Sequence, residues 1–176
     1  MTDVPSTFSR TDFYGLLLPG YLILVVSLLL FKPDLLFNVP GSLDLFSTIV
    51  FVVAGPAVGL ILQTSHRIVL ANIWERSRAK KGEYREFSRK YYHARLDATP
   101  SERLELETSE SLFDFNVSSL IGLTALSIVY FIARGIALVS QVSFLLIADI
   151  LFIAGAYFAR DDYTYVIEEL IEKHPS

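Results

Sequence analysis

Cysteine is absent from this chain of 176 residues, which excludes disulfide bonds, thiolate nucleophiles and cysteine-based metal or iron–sulfur sites. Charge is also scarce, because 19% of the residues are charged whereas 52% are hydrophobic. The mean hydropathy is +0.46, and soluble domains of this size usually contain fewer apolar and more charged residues. The composition therefore predicts an integral membrane protein.

Strand-like alternation and catalytic motifs are lacking as well. No segment alternates apolar and polar residues with the period of two that a β-barrel strand requires, and there is no nucleotide-binding glycine loop or nucleophile motif. The three histidines, His66, His93 and His174, show no metal-ligand spacing, and we expect each to be solvated or to lie at the membrane interface. These absences predict an all-α protein that is not an enzyme and holds no metal or cofactor.

Four apolar runs have the length of a membrane-spanning helix: Phe13 to Phe31, Leu45 to Gln63, Val117 to Ala133 and Val139 to Ala159. A span needs ~17 to 25 residues, because the hydrocarbon core is ~30 Å thick and a helix rises ~1.5 Å per residue. We therefore predict a polytopic all-α protein with four transmembrane helices and a cytoplasmic helical hairpin between the second and the third. The predicted divisions are helices 1 and 2 in residues 1–63, the charged hairpin in 64–116, helices 3 and 4 in 117–159, and an acidic tail in 160–176.

Basic residues are concentrated in one connecting segment, and this bias predicts the orientation. Ten Lys and Arg residues lie in 64–116, whereas the connections 32–44 and 134–138 have one each. The positive-inside rule places the segment with most basic residues in the cytoplasm. With four spans, both termini lie on the same side, and we expect the protein to reside in the plasma membrane.

The segment 64–116 divides into a basic arm and an acidic arm. Residues 64–95 contain nine basic and three acidic residues, and residues 96–116 contain one basic and six acidic residues. The motif Thr99-Pro100-Ser101-Glu102 matches a capping box, in which Glu102 reaches back to the first residue of the motif. A second helix should therefore begin at Pro100. The basic arm is represented by Arg76, Arg78, Lys80, Lys81, Arg85, Arg89 and Lys90.

Several partners fit this hairpin. The two arms could neutralise each other, with an aromatic stripe of the basic arm packed on leucines of the acidic arm. Alternatively, the basic arm could lie on anionic lipid headgroups, with ~1 kcal/mol from each basic residue near the surface, or bind a cytoplasmic protein. Nucleic acid is the least favoured partner, because the whole chain is acidic, with a pI of about 5.3. The aromatic stripe is Tyr84, Phe87 and Tyr91, and the leucines are Leu104, Leu106 and Leu112.

Asp149 is the most unusual residue of the apolar runs. It lies at the midpoint of the fourth run, where insertion of a carboxylate costs ~2.5 to 3.5 kcal/mol. Because no basic residue lies at its depth, we expect an uncharged carboxyl group whose partners are hydroxyls of the third span. The side chain either makes an interhelical hydrogen bond or lines a water-filled ion or proton path. The candidate partners are Thr124, Ser127 and Tyr130.

Proline and glycine are paired in each of the first two spans. In the first span Pro19 directly precedes Gly20. In the second span Gly55 directly precedes Pro56 and lies four residues before Gly59. Small residues let helix backbones approach closely, so these pairs predict kinks or packing notches that favour self-association. The alternative is that two broken helices frame a site at mid-membrane, as in some transporters. The fourth span has a comparable stripe of Ala148, Gly155 and Ala159.

These features predict a small, non-enzymatic integral membrane protein that forms homo-oligomers through its small-residue helix faces. Its cytoplasmic hairpin would bind lipid or a protein partner and could gate a pore. The alternative function is that of a small channel- or transporter-like protein, in which Asp149 and the broken helices 1 and 2 form the path.

Overall fold

A computed structural model describes residues 13–31, 52–66, 68, 81–134 and 139–175, and this part of the chain is helical with no strand. The predicted all-α class is therefore confirmed for the described residues. A π-helical turn, Phe13–Leu17, leads into the first α-helix. The α-helices are α1 (Leu18–Phe31), α2 (52–66), α3 (Lys81–Asp97), α4 (Pro100–Arg134) and α5 (Val139–Lys173).

Within the described part of the chain, three helical segments are long and apolar enough to cross a membrane, namely Phe13–Phe31, Pro100–Ala133 and Val142–Lys173. By the length and composition of these helices, the chain is an integral membrane protein. The second predicted span, Leu45 to Gln63, overlaps α2, whose described part is shorter than a span, and residues 45–51 lie outside the described residues. The predicted connection 32–44 also lies outside them, as do residues 135–138 of the predicted connection 134–138.

Helices α4 and α5 are longer than a bilayer is thick. Each has 35 residues, or ~50 Å at ~1.5 Å per residue, against a hydrocarbon core of ~30 Å. Apolar residues fill 117–133 and 142–159, whereas the charged residues are concentrated in 100–116 and 160–173. Both helices therefore continue without a break out of the bilayer on the same side. We call their charged parts, together with α3, the extramembrane unit, and the remainder the membrane bundle.

In the membrane bundle, α1 and α2 touch backbone to backbone. A Cβ atom on Gly20 would overlap the carbonyl oxygen of Gly55, and one on Gly59 would overlap the carbonyl oxygen of Leu16. A Cβ atom on Gly55 would overlap the ring of Tyr21. The notch that was predicted for self-association thus receives α1 of the same chain, because these glycines are what lets the two backbones approach.

The small stripe of α5 is also used inside the chain. A Cβ atom on Gly155 would overlap the side-chain amide of Asn116 on α4, and Ala148 packs against the core of the bundle. The faces predicted to hold copies together are therefore occupied by contacts within one copy. Self-association, if it uses the described residues, must involve other surfaces.

The proline–glycine pairs do not interrupt their helices. Helix α1 continues through Pro19 and Gly20, and α2 continues through Gly55 and Pro56. The irregular part of the first span is instead the π-helical turn that precedes Pro19, which accommodates a residue without an amide hydrogen. The described backbone therefore differs from the discontinuous helices that were considered for a mid-membrane site.

One core joins the helices of the membrane bundle. It is built from buried apolar side chains of α1, α2, α4 and α5, and tertiary packing of this kind supplies most of the stability of helices in proteins. Its aromatic member, Tyr130, is 1% exposed and meets the ring of Phe31 edge to face, with ring centroids 5.4 Å apart. The buried residues are Ile23, Val26, Leu62, Leu123, Leu126, Tyr130 and Leu145.

A second core holds the extramembrane unit together, where α3 packs against α4 and α5. As α5 leaves the bilayer it reaches Tyr163, which packs with Tyr91 of α3 on the same core. Beyond the ends of the two helices, Thr99 and His174 both contact Glu102. Helix α3 therefore stands alongside α5 and runs in the same direction, away from the bilayer. The buried residues of this core are Ala94, Ala98, Leu106, Val166, Ile167 and Leu170.

The predicted capping box is confirmed at the start of α4. The amide of Thr99 donates to Oε2 of Glu102 over 2.8 Å, and the amide of Glu102 lies 3.4 Å from Oγ1 of Thr99. Arg103 secures the other side of the turn, since its guanidinium donates to the carbonyl oxygens of Ala98 (3.1 Å) and Leu96 (2.8 Å). The turn between α3 and α4 is thus stabilised on both sides, by the capping box at the start of α4 and by the hydrogen bonds from Arg103 to carbonyl oxygens near the end of α3.

The packing of the aromatic stripe differs from the expectation. Leu106 is 1% exposed, but Leu104 and Leu112 are 47% and 45% exposed, and Phe87 is exposed as well. The reason is that residues 160–173, predicted as a tail, continue α5 and cover one side of α3. Helix α3 therefore packs mainly on α5 rather than along the leucines of α4.

Candidate functional site

Asp149 joins α4 and α5 at mid-depth in the membrane bundle. Ser127 Oγ donates to Asp149 Oδ2 over 3.1 Å, and Thr124 Oγ1 donates to Asp149 Oδ1 over 3.4 Å. The two hydroxyls are three residues apart on α4, so they share a face of that helix and one carboxyl group reaches both. Tyr130, the third candidate partner, is buried in the core. We call this contact the Asp149 clasp.

The clasp lies at the outside of the membrane bundle. Thr124 is exposed and Asp149 is half-buried, so a neighbouring molecule could cover them. A nearby apolar groove has a volume of 260 Å³. Its lining residues belong to the segment of α4 from Ser127 to Ile132 and to the segment of α5 from Val142 to Leu146, and Asp149 does not line it. The groove therefore offers mainly apolar surface and no acidic or basic side chain.

A histidine–aspartate pair lies where the membrane bundle meets the extramembrane unit. His66 at the end of α2 is 2% exposed, and its Nδ1 lies 3.3 Å from Oδ1 of Asp114 on α4. A Cβ atom on Gly15 would lie 3.3 Å from the Asp114 carboxylate and 3.6 Å from the amide nitrogen of Gln63. The alternative that His66 is solvated is therefore wrong, because Asp114 and Phe113 of α4 contact its buried ring; the alternative that it lies at the membrane interface stays a prediction.

The contacts of this pair extend to α5 and α3. The His66 ring meets Phe113 edge to face at 5.6 Å, and Phe113 stacks on Tyr163 at 5.8 Å. Burial raises the pKa of Tyr163, and the adjacent Tyr91 hydroxyl, to which it is hydrogen-bonded, acts in the same direction. Tyr91 in turn accepts a hydrogen bond of 3.4 Å from Arg95. A continuous set of contacts thus runs from α2 through α4 and α5 to α3. We call His66, Phe113, Asp114, Tyr163 and Tyr91 the junction network.

Glu102 ties the beginning of α4 to the end of α5. Its Oε2 lies 3.2 Å from Nε2 of His174, and its Oε1 lies 3.9 Å from Nζ of Lys173. The amide and hydroxyl of Thr99 and then the His174 ring hold the pKa of Glu102 at about 2. Glu102 therefore serves both as the carboxylate of the capping box and as an anchor for the end of the chain.

The extramembrane unit should lose stability as the pH falls from 4.5 toward 2. A carboxyl group whose pKa is lowered by folding, here from 4.5 to about 2, contributes stability that is complete above 4.5 and is lost as the pH falls through its folded value. Glu102→Gln should lower the melting temperature at pH 7 and flatten this pH dependence in circular dichroism. Glu105→Gln, at an exposed position on the same helix, is the control. Identical pH profiles for the two variants would contradict the role of Glu102.

The residues predicted for the basic arm are only partly described. Arg89 is exposed on α3, and Lys90 pairs with Glu86 over 2.9 Å, which holds the pKa of Glu86 below its usual range. Lys81 and Arg85 belong to α3. Arg76, Arg78 and Lys80 lie outside the described residues.

Sequence reasoning missed both long-range carboxylate–histidine contacts. His66 and Asp114 are far apart in the chain, but His66 follows the second apolar run by three residues and Asp114 precedes the third run by three. Both residues thus lie three positions from the neighbouring apolar run, and this equal spacing could have been used to predict their contact. Among the described residues, no group of three His, Asp or Glu side chains is arranged to hold a metal ion.

No protein-family model, curated protein or solved structure matches this chain. The functional argument therefore rests on the Asp149 clasp, the junction network and the surfaces of the extramembrane unit.

Proposed function

We propose that this chain is a non-enzymatic membrane protein that self-associates and carries a cytoplasmic helical unit for binding. The junction network is the observation that supports this most directly. It connects α2 of the membrane bundle to α3 through side-chain contacts, while α4 and α5 pass unbroken between the two parts. A partner that binds α3 would therefore also affect the membrane helices through these contacts. Gating of a pore requires coupling of this kind between a binding surface and the membrane helices.

The proposed topology has four spans, with α2 and the residues before it as the second. In this topology both termini and the segment 64–116 lie in the cytoplasm. The membrane that holds the protein is the plasma membrane. Support comes from the ten basic residues of 64–116, in contrast to one in each of the two other connections. The extramembrane unit is then the cytoplasmic part of the protein.

Labelling of single cysteines tests this topology, because the native chain has none. An impermeant maleimide added outside intact cells should label Ser42→Cys and Gly135→Cys. It should not label Ser77→Cys or Ser101→Cys until the membrane is permeabilised. The reverse pattern would overturn the orientation, and equal labelling of Ser42→Cys and Ser77→Cys would overturn the second span.

A protein is favoured over lipid as the partner of α3. Because α3 stands beside α5 and is directed away from the bilayer, its exposed side faces along the membrane plane and not toward the headgroups. Only the N-terminal end of the helix comes near the headgroups. Electrostatic attraction to an anionic membrane decays within a Debye length, ~8 Å at physiological salt. Most of α3 is therefore positioned to meet another protein.

The number of subunits in native membranes tests the proposed function. The full chain, fused to one fluorescent protein and expressed at low density, should bleach in two or more steps in a large fraction of single spots. A fusion to an established monomeric membrane protein provides the single-step control. Single-step bleaching at every density would contradict self-association.

A second candidate function is an ion or proton path that forms between copies. It is favoured by the half-buried Asp149 and exposed Thr124 at the outside of the bundle, where a neighbouring copy would enclose them. Charged and polar side chains in membrane helices face such interiors or cavities in most proteins.

Substitutions at Asp149 separate conduction from a purely structural clasp. Asp149→Asn keeps one acceptor oxygen, and its NH2 group can donate to the oxygen of the other hydroxyl, so its stability should be close to that of the parent. Asp149→Leu removes both hydrogen bonds and should cost about 1–3 kcal/mol. If Asp149 conducts, the Asn variant forms normal oligomers but loses proton flux in liposomes. Absence of flux above empty liposomes for the parent protein across pH 5 to 8 would end the conduction hypothesis.

A further inference from the structure

The outer side of α3 carries a stripe of basic, aromatic and apolar residues. Arg89, Tyr92, His93 and Leu96 are exposed, with Tyr92 at 61% and Leu96 at 55%. Their spacing of i, i+3, i+4 and i+7 places them on one helix face. The opposite face is packed in the extramembrane core. We call these four residues the α3 stripe.

The outer side of α5 carries a stripe of opposite charge. Asp161, Tyr165, Glu168 and Glu172 are exposed, and Tyr165 is 64% exposed. Their spacing of i, i+4, i+7 and i+11 again defines one helix face. We call these residues the α5 stripe, and it has three carboxylates around one aromatic ring.

The two stripes lie at matching depth. Tyr91 of α3 and Tyr163 of α5 pack against the same extramembrane core, which places these two residues at a similar level along α3 and α5. Arg89 precedes Tyr91 by two residues and Asp161 precedes Tyr163 by two, and both helices run away from the bilayer. Arg89 and Asp161 are therefore at similar distances from the membrane surface. All copies share one orientation in a membrane, so this match also holds between neighbouring copies.

We propose that the α3 stripe of one copy docks on the α5 stripe of a second copy. The inference rests on the proposed self-association and specifies its surface. Arg89 then faces Asp161, and Tyr92 packs near Tyr165, which combines charge complementarity with aromatic contact. Because each copy offers one stripe of each kind, the contact is heterologous and generates a ring or an open chain. Confinement to one membrane raises the effective concentration of the stripes.

Other occupants fit these stripes less well. A symmetric contact between two α3 stripes would bring basic residues together, and one between two α5 stripes would bring carboxylates together. The bilayer of the same membrane lies beyond the ends of both stripes rather than along them. A second copy is the partner that supplies the opposite charge at the required depth.

Crosslinking of mixed single-cysteine chains tests the docking directly. Tyr92→Cys and Tyr165→Cys, carried on separate full-length chains in one membrane, should give a crosslinked dimer with a short bis-maleimide. Either variant alone should give none, since a heterologous contact does not bring identical positions together. Dimers from a single variant would overturn the proposal. So would absence of crosslinks in the mixture when bleaching steps still show oligomers, whereas single-step bleaching would overturn self-association itself.

Charge exchange provides an independent arm of the test. In the background of the mixed cysteine chains, Arg89→Glu or Asp161→Arg alone should reduce the crosslinked fraction about fivefold or more, because like charges then face each other. The two substitutions combined in every chain should restore it. Glu105→Arg, at an exposed position on α4, is the control and should leave the fraction unchanged. Failure of the combined variant to recover, with its helical content intact, would contradict the Arg89–Asp161 contact.

Discussion

Replacement of Gly59 by leucine should destabilise the membrane bundle by about 1–3 kcal/mol or more. The first atom of any side chain at this position would overlap the carbonyl oxygen of Leu16. A backbone atom cannot rotate aside as the end of a flexible side chain does, so α1 and α2 must separate. The effect should appear as a lower unfolding midpoint in detergent.

Two matched substitutions test whether this cost comes from the backbone contact. Ala57→Leu places the same side chain on an exposed face of α2 and should leave the midpoint unchanged. Gly155→Leu meets the side chain of Asn116, which can move, so its cost should be smaller than that of Gly59→Leu. A Gly59→Leu protein as stable as the Ala57→Leu protein would contradict the packing of α1 on α2.

Removal of the carboxylate at the junction should have the second large effect. Asp114→Ala leaves His66, which is 2% exposed, without the carboxylate that lies 3.3 Å from its ring. Loss of one partner from a buried polar contact costs about 1–3 kcal/mol. Chemical unfolding should show this loss, whereas Glu105→Ala, at an exposed position of the same helix, should have little effect.

A double variant distinguishes the loss of the pair from general damage to the junction. Replacing both members of a buried pair by apolar residues is often far less harmful than removing one. His66→Leu combined with Asp114→Leu should therefore cost less than the sum of the two single substitutions. Strict additivity would show that His66 and Asp114 do not act as a pair.

Local signals in the sequence predicted the helical class and the start of α4. The capping box needs only four consecutive residues, so Thr99 and Glu102 identified the first turn at Pro100 correctly. Membrane helices are similarly recognisable, because every position must suit the same apolar solvent. Thr124 and Ser127 could be predicted as partners of Asp149, because the position of a residue in its apolar run gives the depth of its side chain in the membrane.

Packing between distant segments could not be predicted in the same way. The charged residues after position 159 suggested a tail, whereas contacts with α3 and α4 extend α5 to Lys173. Those contacts also explain why Leu104 and Leu112 are exposed. The glycine notch at Gly55 and Gly59 was recognised as a close-packing motif, but the sequence did not specify whether α1 or another copy fills it.

Hydrogen exchange of α3 in membranes tests the coupling between the membrane bundle and the extramembrane unit most directly. His66→Leu disrupts the junction network from α2, outside the packed core of α3, and Ala57→Leu on the same helix is the control. The coupling predicts faster exchange of α3 amides around Tyr91 in His66→Leu, in addition to faster exchange in α1 and α2. Unchanged exchange in α3, with faster exchange confined to α1 and α2, would contradict it.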